Sequence, residues 1–487
     1  MMQEITNSCS AIYSWGQFAP AFALVGLALV ILMADTFIKS LPKQVYAIVG
    51  GIGAFVAGCF MLSGEFANAF GFLACLATAL TLFLAFDYHM VSCASVAGDS
   101  EEGTGEFYAL PLVACAGIYC LTQAMDLIML FVSLEVVTLT SYVLAGYFRR
   151  NQGSIEAGIK YLVLGAMSTG LLVFGAAWYF GMSGTFMLTP EVALRALTGG
   201  SVASPIIAVG FLMAVALLFA GAFFKIGAAP MHIWIPDVYQ GAPTPTSTFL
   251  AVASKTAGFA LLCTLVSPLR PFAMPGSMMG TAIIYTFAIV AAITLLIGNL
   301  GAINQSNAKR LLGYSSIGQA GFILVFFVHQ TGPVEAFVIK YMLAYTLATV
   351  GAFFAIAMVR TQRGSEEISA FRGLAKTNPR TAFLIVVSFA SLAGVPLTMG
   401  FIAKMYSFIA LVNAMAVWSC LIWLLPVMIV SAAAGFYYYF KIIRAMYLDA
   451  PQPEDKPLQV PVCTAVVLSL CTIAIIVMGT MPLITLG

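Results

Sequence analysis

"LFAGAFFKIGAAPMHIWIPDVYQGAPTPTS", residues 218–247, begins as an apolar helix and then departs from what such helices tolerate. Lys225 places an ammonium group after a long apolar run, and Pro230 follows five residues later. Pro230 has no N–H to give the carbonyl of Ile226, and Gly227 weakens the same turn. A charge at the centre of a bilayer costs about 2.5–3.5 kcal/mol on insertion scales. Unpaired backbone at that depth persists only where protein or water satisfies it. If this run crosses a membrane, it predicts a broken helix beside a polar site.

The surrounding sequence says that it does cross one. Of the 487 residues, 61% are hydrophobic and 8% charged, where a soluble chain carries about a quarter charged. Apolar runs of about 20 residues, the length that spans a bilayer core, recur throughout. They lie near 19–38, 44–62, 67–86, 107–124, 127–148, 156–181, 205–239, 244–266, 281–301, 307–328, 333–359, 380–412, 418–446 and 460–482. The expected fold is an all-α polytopic membrane protein of about fourteen transmembrane helices, and 1–487 reads as one membrane domain. The longest loops, near 87–106, 182–204 and 360–379, are too short to hold a soluble domain. Residues 1–15 carry no lysine or arginine, so the first run reads as a true span rather than a cleaved leader.

Basic residues set the expected orientation. With the N-terminus outside, fourteen of them fall at inner loops and span ends: Lys39, Lys43, Arg149, Arg150, Lys309, Arg310, Arg360, Arg363, Arg372, Lys376, Arg380, Lys441, Arg444 and Lys456. Only Arg195 and Arg270 fall outside. That bias predicts both termini on the outer side. A formal charge of +2 gives no reason to expect a nucleic-acid partner. The ten cysteines are scattered without a C-x-x-C or a pairing with the three histidines, which speaks against an iron–sulfur or zinc site.

Five basic residues remain. Lys160 lies one turn into its span and can snorkel to the inner interface, whereas Lys225, Lys255, Lys340 and Lys404 lie deeper. Glu135, in "LIMLFVSLEVVTLTSYVLAGYFRR" (127–150), is the acid at mid-membrane depth. Lysine suits proton transfer because burial lowers its proton affinity and a nearby carboxylate raises it again. A Lys–Glu pair of variable separation is therefore a proton switch. Arginine holds its proton too firmly for that task.

A second break supports the reading. Pro396, in "SFASLAGVPLTMGFIAKMYSF" (388–408), withholds a donor from the carbonyl of Leu392 beside Gly394. The two broken spans are five apart, which predicts inverted five-helix repeats near 107–266 and 281–446, flanked by helices 19–86 and 460–482. Register is loose, since Lys225 precedes its proline and Lys404 follows its own. Lys340 also reads as a snorkelling residue, and His232, in "PMHIWIPDVY", as a cap for polar backbone. Asp126 and Asp237 lie near span ends, and "GDSEEGTGE" (98–106) reads as a solvated loop.

Three long motifs carry a resemblance. They are "FKIGAAPMHIWIPDVYQGAPTPTSTFLAVASKTAGFA" (224–260), "GNLGAINQSNAKRLLGYSSIGQAGFIL" (298–324) and "FRGLAKTNPRTAFLIVVSFASLAGVPLTMGFIAKMYSF" (371–408). In this order they resemble the antiporter-like, proton-pumping subunits of respiratory complex I, over nearly the whole chain. Within that family the chain is most similar to the N-type branch. It ends after span fourteen without a lateral helix, and Lys404 stands where the M-type branch carries glutamate. "SLEVVTLTSYVLAGYFRR" (133–150) and "EAGIKYLVLGAMSTGLLVFG" (156–175) point the same way.

The resemblance implies roles. Glu135 is the span-five carboxylate that modulates Lys225, Lys255 is the connecting lysine of span eight, and Lys404 is the terminal lysine of span twelve. His232 and Lys340 are further candidates. Protons are expected to enter from inside near Lys225, pass along lysines and water, and leave near Lys404, driven by quinone reduction elsewhere in a complex. The chain itself is expected to hold no cofactor or metal, with flavin and iron–sulfur clusters in partner subunits. M- and K-type subunits are the expected neighbours in a bacterial inner membrane. Two alternatives are an Mrp-type sodium/proton antiporter and the equivalent subunit of a hydrogenase, deazaflavin- or ferredoxin-linked complex. An acid-poor lysine channel argues mildly against sodium, which prefers oxygen ligands.

Overall fold

The computed structural model describes residues 15–38, 41–62, 68–95, 104–198, 205–273, 278–329, 332–451 and 457–481. Lys39 and Lys456, and the side chain of Arg195, fall outside the described residues. All fourteen predicted spans are helical, and no strand occurs among the described residues. Among the described residues, thirteen helices are long and apolar enough to cross a membrane, and Gln44–Phe60 and Pro379–Ala393 are shorter apolar helices. Gln44–Phe60 is span two, and Pro379–Ala393 is the first half of span twelve.

Both predicted breaks are present. Span seven consists of Pro205–Ile226 and Trp234–Gly241, and span twelve of Pro379–Ala393 and Met399–Val417. Neither proline sits inside a helix, because each helix has already ended. Gly227 (φ 74°) and Gly394 (φ 87°) turn the chain into the left-handed region one residue past the last helical position, a conformation glycine adopts without the Cβ penalty. Pro230 and Pro396 follow and keep the helix from resuming. Leu397 is also left-handed (φ 72°). A third irregularity, unexpected from the sequence, is a π-helical turn over Leu250–Ser254 in span eight, directly before Lys255.

Spans eight, ten and eleven form the centre, with 94% of the most apolar 18-residue stretch of each buried inside the protein, against 28% for spans one and six. These helices carry Lys255, Lys309, Ser316, Gln319 and Thr346 buried among their neighbours, and polar groups at membrane depth face other protein rather than lipid. The last span is tied back to the third. Asp87 Oδ2 accepts from the backbone N–H of Thr464 at 2.7 Å and from its hydroxyl at 2.5 Å. Thr464 lies in the first turn of Val462–Thr480, so a carboxylate from span three caps the positive end of span fourteen.

Charges at span ends join neighbouring helices. Asp237, on the second half of span seven, accepts from Lys160 of span six at 2.8 Å and from Arg310 of span ten at 2.7 Å. Lys160 therefore does more than snorkel, because it also pairs with Glu156 at 2.6 Å.

Candidate functional site

Lys225 is the next-to-last residue of the first half of span seven and is 5% exposed. Its Nζ donates to Thr138 Oγ1 of span five at 3.2 Å. Thr138 lies three residues after Glu135, on the same helix face. Glu135 Oε1 accepts instead from Thr169 of span six at 2.9 Å. Lys225 and Glu135 are thus not joined in an ion pair, and each is held by its own threonine. Protein groups satisfy the break beside them: Ala229 N–H donates to Thr294 at 2.9 Å, and Trp234 Nε1 donates to the Phe224 carbonyl at 3.1 Å. His232 lies half-buried in the intervening turn, with Nδ1 unpartnered among the described residues.

Lys255 follows the π-helical turn and is 2% exposed. Such a turn adds a residue and re-aims the side chains after it. Its Nζ donates to both the carbonyl and the hydroxyl of Ser316 on span ten, at 2.5 Å each. The same hydroxyl meets Tyr239 OH at 3.3 Å, and the ammonium stands 5.6 Å from the ring centre of Tyr345 on span eleven.

Lys404 is in the second half of span twelve and turns back onto the first. Its Nζ donates to the carbonyls of Ala393 at 2.7 Å and Leu392 at 3.0 Å. The Leu392 carbonyl is the one the sequence marks as freed by Pro396, and it also accepts from Gln319 Nε2 at 3.1 Å. Lys404 lies 5.3 Å from the ring centre of Phe322. Lys340 is apart from these three. It is half-buried near the start of span eleven, over the Tyr406 ring at 5.8 Å.

Two features escape the charge-based reading. Lys309, at the start of span ten as expected, is completely buried: its Nζ pairs with Glu366 at 3.1 Å and donates to the Ala242 carbonyl at 2.7 Å. Arg360 completes the cluster on Glu366 at 2.6 Å. The second is a neutral network between Lys255 and Lys404. Gln319 Nε2 donates to Tyr439 OH at 3.2 Å, Tyr341 OH donates to Gln319 Oε1 at 2.5 Å, and Ser315 and Tyr439 share a short hydrogen bond. Polar residues at helical spacing in "GYSSIGQ" (313–319) are the signal that could have marked it.

Three buried lysines at three helix discontinuities, each bonded to neutral oxygens, can release and regain protons without breaking an ion pair. The chain is also similar to known proteins. Residues 124–430 match the family described as NADH:quinone oxidoreductase/Mrp antiporter, TM. A protein named NADH-quinone oxidoreductase subunit N from Brevibacillus brevis is 33% identical over 500 aligned positions, covering 96% of this chain and 93% of that one. One named subunit N 2 from Herpetosiphon aurantiacus is 38% identical over 400 positions, covering 78% and 72%. Among solved structures, a chain of respiratory complex I from Thermus thermophilus superposes with a TM-score of 0.75 at 27% identity, covering 96% and 98%. A chain of the Mrp complex from Dietzia shares the fold, with a TM-score of 0.78 at 19% identity and coverage of 97% and 96%. The chain is a multi-pass membrane protein and belongs to the NADH:quinone oxidoreductase/Mrp antiporter family, on the branch of the NADH-quinone oxidoreductase N subunits.

Proposed function

We propose that this chain carries protons across the membrane as an N-type subunit in the membrane arm of an NADH-quinone oxidoreductase. The reading rests on one observation: Lys225, Lys255 and Lys404 are each at most 7% exposed, each adjoins a helix discontinuity, and each bonds to hydroxyl or carbonyl oxygen. Glu135 sets the proton affinity of Lys225 through their separation. Lys255 passes the proton on, and Lys404 releases it. His232 and Lys340 border this line, at the span-seven break and the start of span eleven.

In this reading the chain is one subunit of a translocating oxidoreductase, and quinone reduction elsewhere in the complex supplies the energy. Flavin and iron–sulfur centres belong to partner subunits, and M- and K-type subunits flank this one. Both termini face outside, so uptake lies at the inner face near Lys225 and release at the outer face beyond Lys404. The two breaks, five spans apart, support inverted repeats over 107–266 and 281–446. The Mrp-type antiporter reading is less favoured, because that likeness is one of fold at 19% identity.

Lys225→Ala in the intact complex tests the proposal, with quinone reduction and proton pumping followed in membrane vesicles. Both should fall together while the assembled complex stays at wild-type abundance. Wild-type rates for both would remove Lys225 from the pathway.

A further inference from the structure

Lys404 has three N–H bonds, and the structure accounts for two. They lie on the Leu392 and Ala393 carbonyls, which the broken helix leaves without backbone donors. A neutral amine keeps two N–H bonds and can stay on both carbonyls, so the third proton is the mobile one.

Span thirteen, Leu424–Tyr447, presents a glycine to this ammonium. A Cβ on Gly435 would stand 3.7 Å from Asn299 Oδ1, 3.8 Å from Lys404 Nζ and 3.9 Å from Tyr438 OH. An amide oxygen of span nine, a phenol of span thirteen and the ammonium thus converge on one point beside bare backbone. Tyr438 OH donates to Asn299 Oδ1 at 3.1 Å, which leaves the second lone pair of Oδ1 and those of the phenol open to another donor. Three polar groups within reach of one point beside bare backbone are the partners an internal water requires. A second observation extends the line. Ser431, one turn before Gly435 on the same helix, is 1% exposed with its hydroxyl unpartnered. A buried hydroxyl without a protein partner marks a place where water completes the bonding.

We propose that Gly435, Asn299, Tyr438 and Lys404 form a binding site for one water molecule, which takes the proton from Lys404 and passes it along span thirteen past Ser431. This deepens the reading of Lys404 as the releasing lysine and rests on it. In the step itself, one N–H bond of Lys404 breaks and an O–H bond forms on the water. The lysine is left neutral on its two carbonyls, and the proton leaves as hydronium toward water at Ser431. In the proposed topology, residues 424 to 447 run from outside to inside, so Ser431 lies on the outward side of Gly435.

Gly435→Ala is the direct test, because the added methyl makes only ordinary contacts and so fills the site without forcing a rearrangement. In the whole complex, an electron cryo-microscopy map that resolves waters should show density bonded to Lys404 Nζ in the wild type and none in Gly435→Ala. Proton pumping should fall by about tenfold or more with unchanged complex abundance. Tyr438→Phe, which removes one oxygen and no volume, should slow pumping in the same direction. Lys404→Ala is the companion control. If it leaves pumping intact, the role given to Lys404 fails. If it stops pumping while Gly435→Ala keeps the wild-type rate, or if the wild-type map has no water there, the water site alone is refuted.

Discussion

The breaks of spans seven and twelve are built to one plan and used differently. Each ends a helix on a left-handed glycine, follows it with proline and keeps a lysine close by. In span twelve the lysine is part of the break, because Lys404 supplies donors to the carbonyls that the broken helix leaves open. In span seven the lysine stands beside the break, since Lys225 bonds to Thr138 while Thr294 and Trp234 complete the backbone. The same device therefore gives one lysine that helps hold its break together, and one that leaves that task to other groups.

Packing sharpens the contrast and yields the largest expected effect. A Cβ at Gly400 would come within 1.9 Å of the Ser391 carbonyl oxygen, so the two halves of span twelve meet backbone to backbone. At Gly227 the first obstacle is the Cδ1 tip of Ile235, also at 1.9 Å, which can rotate away. Gly400→Ala should cost about 3 kcal/mol or more, the upper range for overpacking, and sharply deplete assembled complex in membranes. Gly227→Ala should cost about 1–2 kcal/mol, mainly the left-handed backbone penalty. Equal depletion by the two substitutions would dissolve the distinction.

The lysines come next. Lys404→Ala leaves the Ala393 carbonyl without its donor while Gln319 retains Leu392. Purified complex should lose about 1–3 kcal/mol of stability, the desolvation penalty of an orphaned buried acceptor, read as a lower melting temperature. Lys225→Ala should melt close to wild type although it stops pumping. A matching loss of stability at both sites would contradict the division of labour. Thr138→Val is the mildest change. It removes the acceptor of Lys225 without altering volume, and should lower stability by about 1 kcal/mol at most. Because it frees Lys225 to approach Glu135, it should slow turnover only modestly, in steady-state assays of quinone reduction.

How much of this could be read beforehand follows from what apolar sequence encodes. Span positions and both breaks were legible because hydrophobic length, glycine and proline act locally. Lys225, Lys255 and Lys404 stood out because a charge in an apolar run is costly wherever it points. The burial of Lys309 was illegible for a physical reason. A lysine–arginine pair at a helix start reads as an interfacial flank, and its burial depends on Glu366, 57 residues away, closing over it. The π-helical turn before Lys255 has no proline or glycine to announce it. Gln319, Tyr341, Tyr438 and Tyr439 look like ordinary packing until three helices bring them together. Glycine at 435 gives no sign of its role, because its contribution is the side chain it lacks.

The cap that Asp87 gives to span fourteen bears on how the protein is made. Spans enter the bilayer in chain order, yet the partner of Asp87 lies 377 residues further on. Until the last helix is inserted, span three carries an unsatisfied carboxylate with a cleft beside it, and the bundle remains open along that seam. Insertion of Val462–Thr480, rather than of any earlier segment, is then the event that closes the bundle along that seam. A chain truncated before residue 462 would keep every lysine of the pathway and still expose an acid that marks it as unfinished.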